Sequence, residues 1–102
     1  MKKTKHVKDI EQRLLMLADE EKRLILMGFF KTGKGEYGEG DHFLGVTNPQ
    51  IRKVVRGAWK DTTIAEAAML AQNRWHEIRQ CGLLILVEHF QRAMKASDDA
   101  AM

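Results

Sequence analysis

Apolar residues recur every three or four positions along most of the chain, which is the spacing of one face of an α-helix. A first stripe predicts a helix over residues 5–19, and a second predicts a helix over residues 21–31, which begins next to acidic side chains that suit the positive end of a helix dipole. The stripes consist of Val7, Ile10, Leu14, Leu17 and Ala18, followed by Leu24, Ile25, Met27, Phe29 and Phe30. Proline occurs once and alternating β-branched residues are scarce, so the pattern predicts an all-α protein.

A third predicted helix, residues 49–60, has two chemically different sides. Asn48 is expected to cap its N-terminus, and Pro49 suits the first helical position because no donor is needed there. At about 100° per residue, one side is apolar and the other is basic. The apolar side holds Ile51, Val54, Val55, Ala58 and Trp59, and the basic side holds Arg52, Lys53, Arg56 and Lys60, three of them in a single i,i+4 row. No acid lies among these cations, so we expect their charge to be balanced from outside the helix.

Two further helices complete the predicted fold. Thr63 and Glu66 have the spacing of a capping box and predict a short helix to about residue 72. The last helix is predicted over residues 75–94, and its centre, Leu83–Val87, is apolar on every face. A helix of that kind is buried on more than one side. We therefore expect an antiparallel array of about five helices in a single domain, residues 1–102, with a second copy packed against helix 75–94 as a two-fold homodimer.

Between the second and third helices lies a glycine-rich loop, residues 33–45. Its five glycines, Gly33, Gly35, Gly38, Gly40 and Gly45, allow positive φ angles and predict irregular backbone. The loop matches G-x-G-x-x-G, but no strand precedes it and no helix follows directly, so a dinucleotide site is not indicated. Folding over the helix ends is the simpler interpretation; direct ligand contact is the alternative, with Tyr37 as its candidate.

The charge distribution adds a candidate function. The net charge is +3, and residues 49–95 carry eight Lys/Arg against four Asp/Glu. Phosphate neutralisation by such side chains dominates nucleic-acid affinity. The set Arg52, Lys53, Arg56, Lys60 and Tyr37 is therefore the candidate nucleic-acid-binding site, with double-stranded DNA as the expected partner. A solvated basic face remains the alternative.

Other chemistry is not indicated. The four histidines lack zinc-ligand spacing, and the loop acids Glu36, Glu39 and Asp41 lack calcium-loop spacing. Cys81, the single cysteine, lies next to the apolar run and is predicted to be a packing residue in a reducing, cytoplasmic protein. No apolar run reaches the length of about 18 residues that spans a membrane. We expect no cofactor, no metal and no membrane contact.

One stretch resembles a known family. The sequence FFKTGKGEYGEGDHFLGVTNPQIRK, with Gly45, Pro49 and Arg52 spaced as in FLGVxxPxxR, is similar to the N-terminal signature of the DNA alkylation repair (AlkD-like) proteins, and the similarity continues to about Phe90. The resemblance implies an α-α superhelix of HEAT-like repeats. It also implies a DNA glycosylase that excises alkylated purines such as 3-methyladenine and 7-methylguanine while gripping the duplex backbone.

The resemblance assigns no catalytic residue to this chain. The aspartate and tryptophans of the family's active site lie on helices beyond the matched region, and nothing after Met94 resembles them. We therefore expect residues 1–102 to be the N-terminal part of a longer repair protein, in which they supply backbone binding and scaffold. The alternative is a non-catalytic helical-repeat module that binds protein or DNA.

Overall fold

The computed structural model describes residues 3–30 and 40–101. These residues form five α-helices: α1 (Lys5–Met16), α2 (Glu20–Phe29), α3 (Asn48–Ala58), α4 (Ile64–Leu70) and α5 (His76–Ala101). A 3-10 turn, Trp59–Asp61, follows α3. Within the described ranges there is no strand, and the only β-type pairing is an isolated bridge between His42 and Trp75. The prediction of an all-α fold is confirmed.

Three predicted helix ends are wrong. The first helix was expected to continue to residue 19, but α1 ends at Met16 and Asp19 caps α2. The third helix was expected to continue to Lys60, but α3 ends at Ala58 and the chain tightens into the 3-10 turn. The Thr62 side chain explains this end, because its hydroxyl donates to the carbonyl oxygen of Ala58 at 2.7 Å. At the other end of the chain, α5 continues past Met94 to Ala101.

Helices α4 and α5 form an antiparallel hairpin. Gly82 lies so close to α4 that a Cβ atom added there would be 2.6 Å from the carbonyl oxygen of Ala67 and 2.6 Å from the backbone nitrogen of Ala71. Seven residues further along α5, the Nε2 atom of His89 donates to the carbonyl oxygen of Thr62 at 2.7 Å. Because later residues of α5 meet earlier residues of α4, the two helices run in opposite directions. Only glycine at position 82 permits this approach.

The first helix runs in the same direction as α4. At its start, the Thr4 hydroxyl donates to the Glu66 carboxylate, and this bond together with the Thr63 backbone N–H lowers the pKa of Glu66. Seven residues further along the chain, Glu11 in the middle of α1 accepts at 2.7 Å from the side-chain amide of Asn73, which follows the end of α4. Thr63 and Glu66 also form the predicted capping box of α4. The Glu66 carboxylate thus caps α4 and also binds Thr4 at the start of α1.

Helices α3 and α5 likewise share a direction. The Gln80 amide donates to the Asn48 side chain at 2.9 Å at one end, and the rings of Trp59 and His89 lie 5.4 Å apart at the other. Since α4 opposes α5 and parallels α1, the order α1, α3, α4, α5 alternates in direction. The expected antiparallel arrangement is therefore present in these four helices.

The core lies between these four helices. It includes Val7, Ile10, Leu14, Ile51, Val54, Val55, Ala67, Leu70, Ile78, Cys81 and Ile85. Cys81 is fully buried, and burial raises the pKa of its thiol to about 12, which confirms its interpretation as a packing residue. Helix α2 contributes no buried residue, and Leu24, Ile25 and Phe29 on it are exposed. Among the described helices, none combines the length and apolarity that crossing a membrane requires.

Candidate functional site

The N-terminus of α3 positions the basic residues. Thr47 and Gln50 form a reciprocal capping box: the Thr47 hydroxyl accepts from the Gln50 backbone N–H at 3.3 Å, and the Gln50 side chain accepts from the Thr47 backbone N–H at 2.9 Å. The prediction that Asn48 caps this helix is wrong. Thr47 is the N-cap because Gln50, three residues later, completes the capping box. Asn48 already lies in the helix, and its side chain accepts a hydrogen bond from Gln80.

The apolar side of α3 determines which way its cations point. Ile51, Val54 and Val55 are buried against the core, as predicted. The opposite side is exposed, and it carries Arg52, Lys53 and Arg56, with Lys60 exposed in the 3-10 turn that follows. No carboxylate of the described residues forms an ion pair with any of these four side chains. The structure thus places four solvent-facing cations on one surface, where the described residues pair none of them with a carboxylate.

Trp59 extends this basic surface from α3 to α5. Its half-buried ring lies 5.9 Å from the Lys60 ammonium and 5.3 Å from the guanidinium carbon of Arg92. Both distances are within the range of a cation–π contact. Arg92 lies one helical turn from Glu88, and its Nε atom is 3.6 Å from that carboxylate. Sequence reasoning missed Arg92, because nothing local connects it with a tryptophan 33 positions earlier.

Next to α3, the segment 40–47 is fixed by a buried carboxylate. Glu77, in the first turn of α5, is 1% exposed. Its two oxygens accept the backbone N–H groups of Leu44 at 2.9 Å, Gly45 at 2.8 Å and Val46 at 3.1 Å. Three backbone donors compensate the loss of water around this carboxylate. The bonds fix the entry to α3, and with it the direction in which the basic face points.

Gly45 also anchors α2. Its φ angle is +87°, and an added Cβ atom would lie 2.0 Å from the carbonyl oxygen of Asp19. The Asp19 backbone N–H donates to the carbonyl oxygen of Leu44 at 3.0 Å. Asp19 in turn caps α2 by accepting from the Lys22 N–H. The predicted loop therefore requires glycine at position 45, because the start of α2 packs directly against the backbone there.

A second ionic group holds the same segment to α5. The Asp41 carboxylate accepts from Arg79 at 2.6 Å and lies 3.2 Å from the Nδ1 atom of His76. Partial burial would raise the pKa of Asp41, but the hydrogen bonds from Arg79 and His76 outweigh it, so this pKa lies below its usual value. Asp41 is thus a half-buried, paired acid that ties the segment to α5. Its partners lie on α5, which begins 35 positions later, so the local sequence pattern could not predict this pairing.

Other predicted site features fall in different places. Tyr37, Glu36 and Glu39 lie outside the described residues. The ring of Phe43 is buried and stacks on His76 with centroids 4.4 Å apart, whereas Phe29 is exposed. No group of three His, Cys, Asp or Glu side chains with metal-binding geometry occurs in the described part of the chain.

Comparison with known proteins identifies the family. A family model described as "DNA alkylation repair enzyme" matches residues 10–101, which is most of the chain. The chain belongs to the DNA alkylation repair enzyme family. No curated protein matches it significantly, and neither does any solved structure.

The family match includes all of the elements that form the basic surface. In this DNA alkylation repair family member, α3, the 3-10 turn and α5 all fall within the matched residues. The resemblance read from the glycine-rich stretch is thus confirmed at the level of the family. A role in DNA repair follows from membership.

Proposed function

We propose that this chain supplies duplex-backbone binding to a cytoplasmic DNA alkylation repair protein of the glycosylase type, which excises alkylated purines such as 3-methyladenine and 7-methylguanine. The observation that carries the proposal is the exposed basic face of α3 and the 3-10 turn that follows it. Its cations, Arg52, Lys53, Arg56 and Lys60, have no carboxylate partner among the described residues. Membership of the DNA alkylation repair family makes DNA the expected ligand of this face.

Phosphates suit this face better than bases do. Lys and Arg side chains that neutralise phosphates release condensed counterions, and this release makes affinity strong at low salt and independent of sequence. Arg52 and Arg56 are one helical turn apart, about 6 Å along the axis. We propose that Arg92 adds a weaker contact through its position over Trp59, because Glu88 already offsets part of its charge.

The alternating helices support a scaffold role. Helices α1, α3, α4 and α5 run in alternating directions. Helix α1 packs on α3 and α4 packs on α5, and the second pair stacks on the first through α1 with α4 and α3 with α5, as helix pairs stack in an α-α superhelix of HEAT-like repeats. The buried carboxylates Glu66 and Glu77 are occupied by structural hydrogen bonds. We therefore assign no catalytic residue to this chain, and we propose that it contributes duplex-backbone binding and a scaffold.

The test is a salt titration of binding to an unmodified duplex. Each phosphate contact contributes about one unit to the slope of log affinity against log salt, so Arg52→Ala with Arg56→Ala should flatten the slope by about two units. Lys8→Ala with Arg74→Ala removes the same charge from exposed positions on α1 and before α5, and should leave the slope nearly unchanged. Equal slopes for the α3 variant and the unmodified chain would contradict the proposal.

A further inference from the structure

The basic face of α3 has a gap at Gly57. Its first i,i+4 row runs through Arg52, Arg56 and Lys60, the last of which lies in the 3-10 turn. A second row begins next to it at Lys53, and the following position of that row is Gly57. Because glycine has no side chain, α3 itself supplies no cation at this point of the second row.

A guanidinium group from α1 fills the gap. A Cβ atom added at Gly57 would lie 3.8 Å from the Nη2 atom of Arg13 and 4.0 Å from its Nη1 atom, and outside α3 no other described atom lies within 4 Å of that point. The neighbouring Leu14 is fully buried and packs this turn of α1 against the core, while Arg13 itself is exposed. Arg13 therefore places its charge where a long basic side chain at position 57 would place one.

The charge of Arg13 is available to a ligand. No carboxylate of the described residues forms an ion pair with this side chain. Asp9 and Asp61 border the same cleft, which has a volume of about 150 Å³, so they lower the positive potential there without pairing with the guanidinium. The second row of the basic face thus consists of Lys53 from α3 and Arg13 from α1.

The two rows lie side by side at a distance that suits a groove of DNA. Successive residues of an α-helix are about 100° apart, and a helix with its side chains is about 10–12 Å across, so the side-chain ends of the two rows are about 8–9 Å apart. The minor groove of B-DNA is about 6 Å wide, and the phosphate charges on its two walls are somewhat farther apart than that. An α-helix is too wide to enter this groove, but two rows with this separation can contact both walls from outside.

We propose that α3 lies over the minor groove of duplex DNA, with its first row on the phosphates of one strand and its second row, completed by Arg13, on those of the other. This arrangement rests on the proposed function and extends it, because it assigns a residue of α1 to the binding surface. It also makes the second strand a direct ligand. A single row would contact one backbone only, and its binding would not depend on charge in the complementary strand.

Salt titrations on two duplexes test the second row. Arg13→Ala should flatten the slope of log affinity against log salt by about one unit on an unmodified duplex. In a second duplex, one strand carries neutral methylphosphonate linkages, so the larger first row takes the charged strand and Arg13→Ala should leave the slope nearly unchanged. Lys8→Ala removes the same charge from another exposed position of α1 and should alter neither slope. An unchanged slope for Arg13→Ala on the unmodified duplex, or equal changes on both duplexes, overturns the proposal.

Gly57→Lys tests whether the position of the charge is what matters. In the Arg13→Ala background, a lysine at position 57 supplies a cation at the same point from α3, and it should restore about one unit of slope on the unmodified duplex. The new side chain has room, because outside α3 only the Arg13 guanidinium lies within 4 Å of its Cβ atom. Circular dichroism verifies that the double variant folds. A folded double variant that does not recover the slope would overturn the assignment of Arg13.

The double variant Arg52→Ala, Arg56→Ala reports separately on the proposed function. If it flattens the slope while Arg13→Ala does not, backbone binding by α3 stands and the two-strand arrangement fails. If neither variant flattens the slope, both proposals fail. The expected result is about two units for the α3 variant and about one unit for Arg13→Ala on the unmodified duplex.

Discussion

The carboxylate of Glu77 accepts a hydrogen bond from the backbone N–H of Gly45 at 2.8 Å, across 32 positions of the sequence. This bond joins the first turn of α5 to the residue against which α2 begins. It also lies just before the cap of α3, where the basic face starts. One buried side chain thereby sets the relative positions of three helices, so the stability of the junction and the presentation of the candidate DNA-binding face are linked.

Glu77→Gln should destabilise the chain by about 2–4 kcal/mol. The carboxamide nitrogen of glutamine is a donor, so at least one of the three backbone N–H groups would lose its acceptor in a buried site. Urea unfolding followed by far-UV circular dichroism measures the change. Glu88→Gln, on the exposed part of the same helix, breaks a surface ion pair and should cost less than about 1 kcal/mol. Comparable losses in the two variants would refute the structural role given to Glu77.

Gly45→Ala should cost at least about 3 kcal/mol, because it combines an unfavourable φ angle with a backbone collision at Asp19. Gly40→Ala separates these two effects. Gly40 has a φ angle of +84°, but no described atom lies within 4 Å of its added Cβ atom. Its substitution should therefore cost only about 1–2 kcal/mol, the conformational part. Equal values for the two variants in the same unfolding experiment would show that α2 does not depend on this contact.

Asp41 should make stability depend on acidic pH. Its folded-state pKa is lowered, so its contribution is present above the unfolded-state pKa of about 4 and is lost as the pH falls through the folded-state value. Asp41→Asn should accordingly flatten the decline of unfolding free energy below about pH 4. Asp9→Asn, at an exposed position of α1 without an ion pair to the described residues, is the control. An unaltered acid-side slope in Asp41→Asn would contradict this account.

The sequence by itself determined what depends on neighbours within one or two helical turns. The apolar periodicity placed all five helices, the Thr63–Glu66 spacing predicted a real capping box, and the alternation along α3 separated Ile51 and Val54 from Arg52 and Arg56. Such features depend only on which residues lie three or four positions apart, and this spacing can be read directly from the sequence. The glycine-rich stretch also pointed to the right family.

Tertiary structure alone decided which polar groups are paired and which apolar faces are covered. Nothing local distinguishes Glu77, which is buried under three backbone donors, from an ordinary acid at a helix start, or Asp41 from a solvated one. Arg92 joins the basic surface only because α5 passes Trp59. The apolar run of α5 could be read from the sequence, but only packing against α3 and α4 showed that Ile85 is buried while Leu83 and Val87 remain exposed. Each of these outcomes depends on residues that are more than four helical turns apart in the sequence, and periodicity carries no information about which distant segments meet.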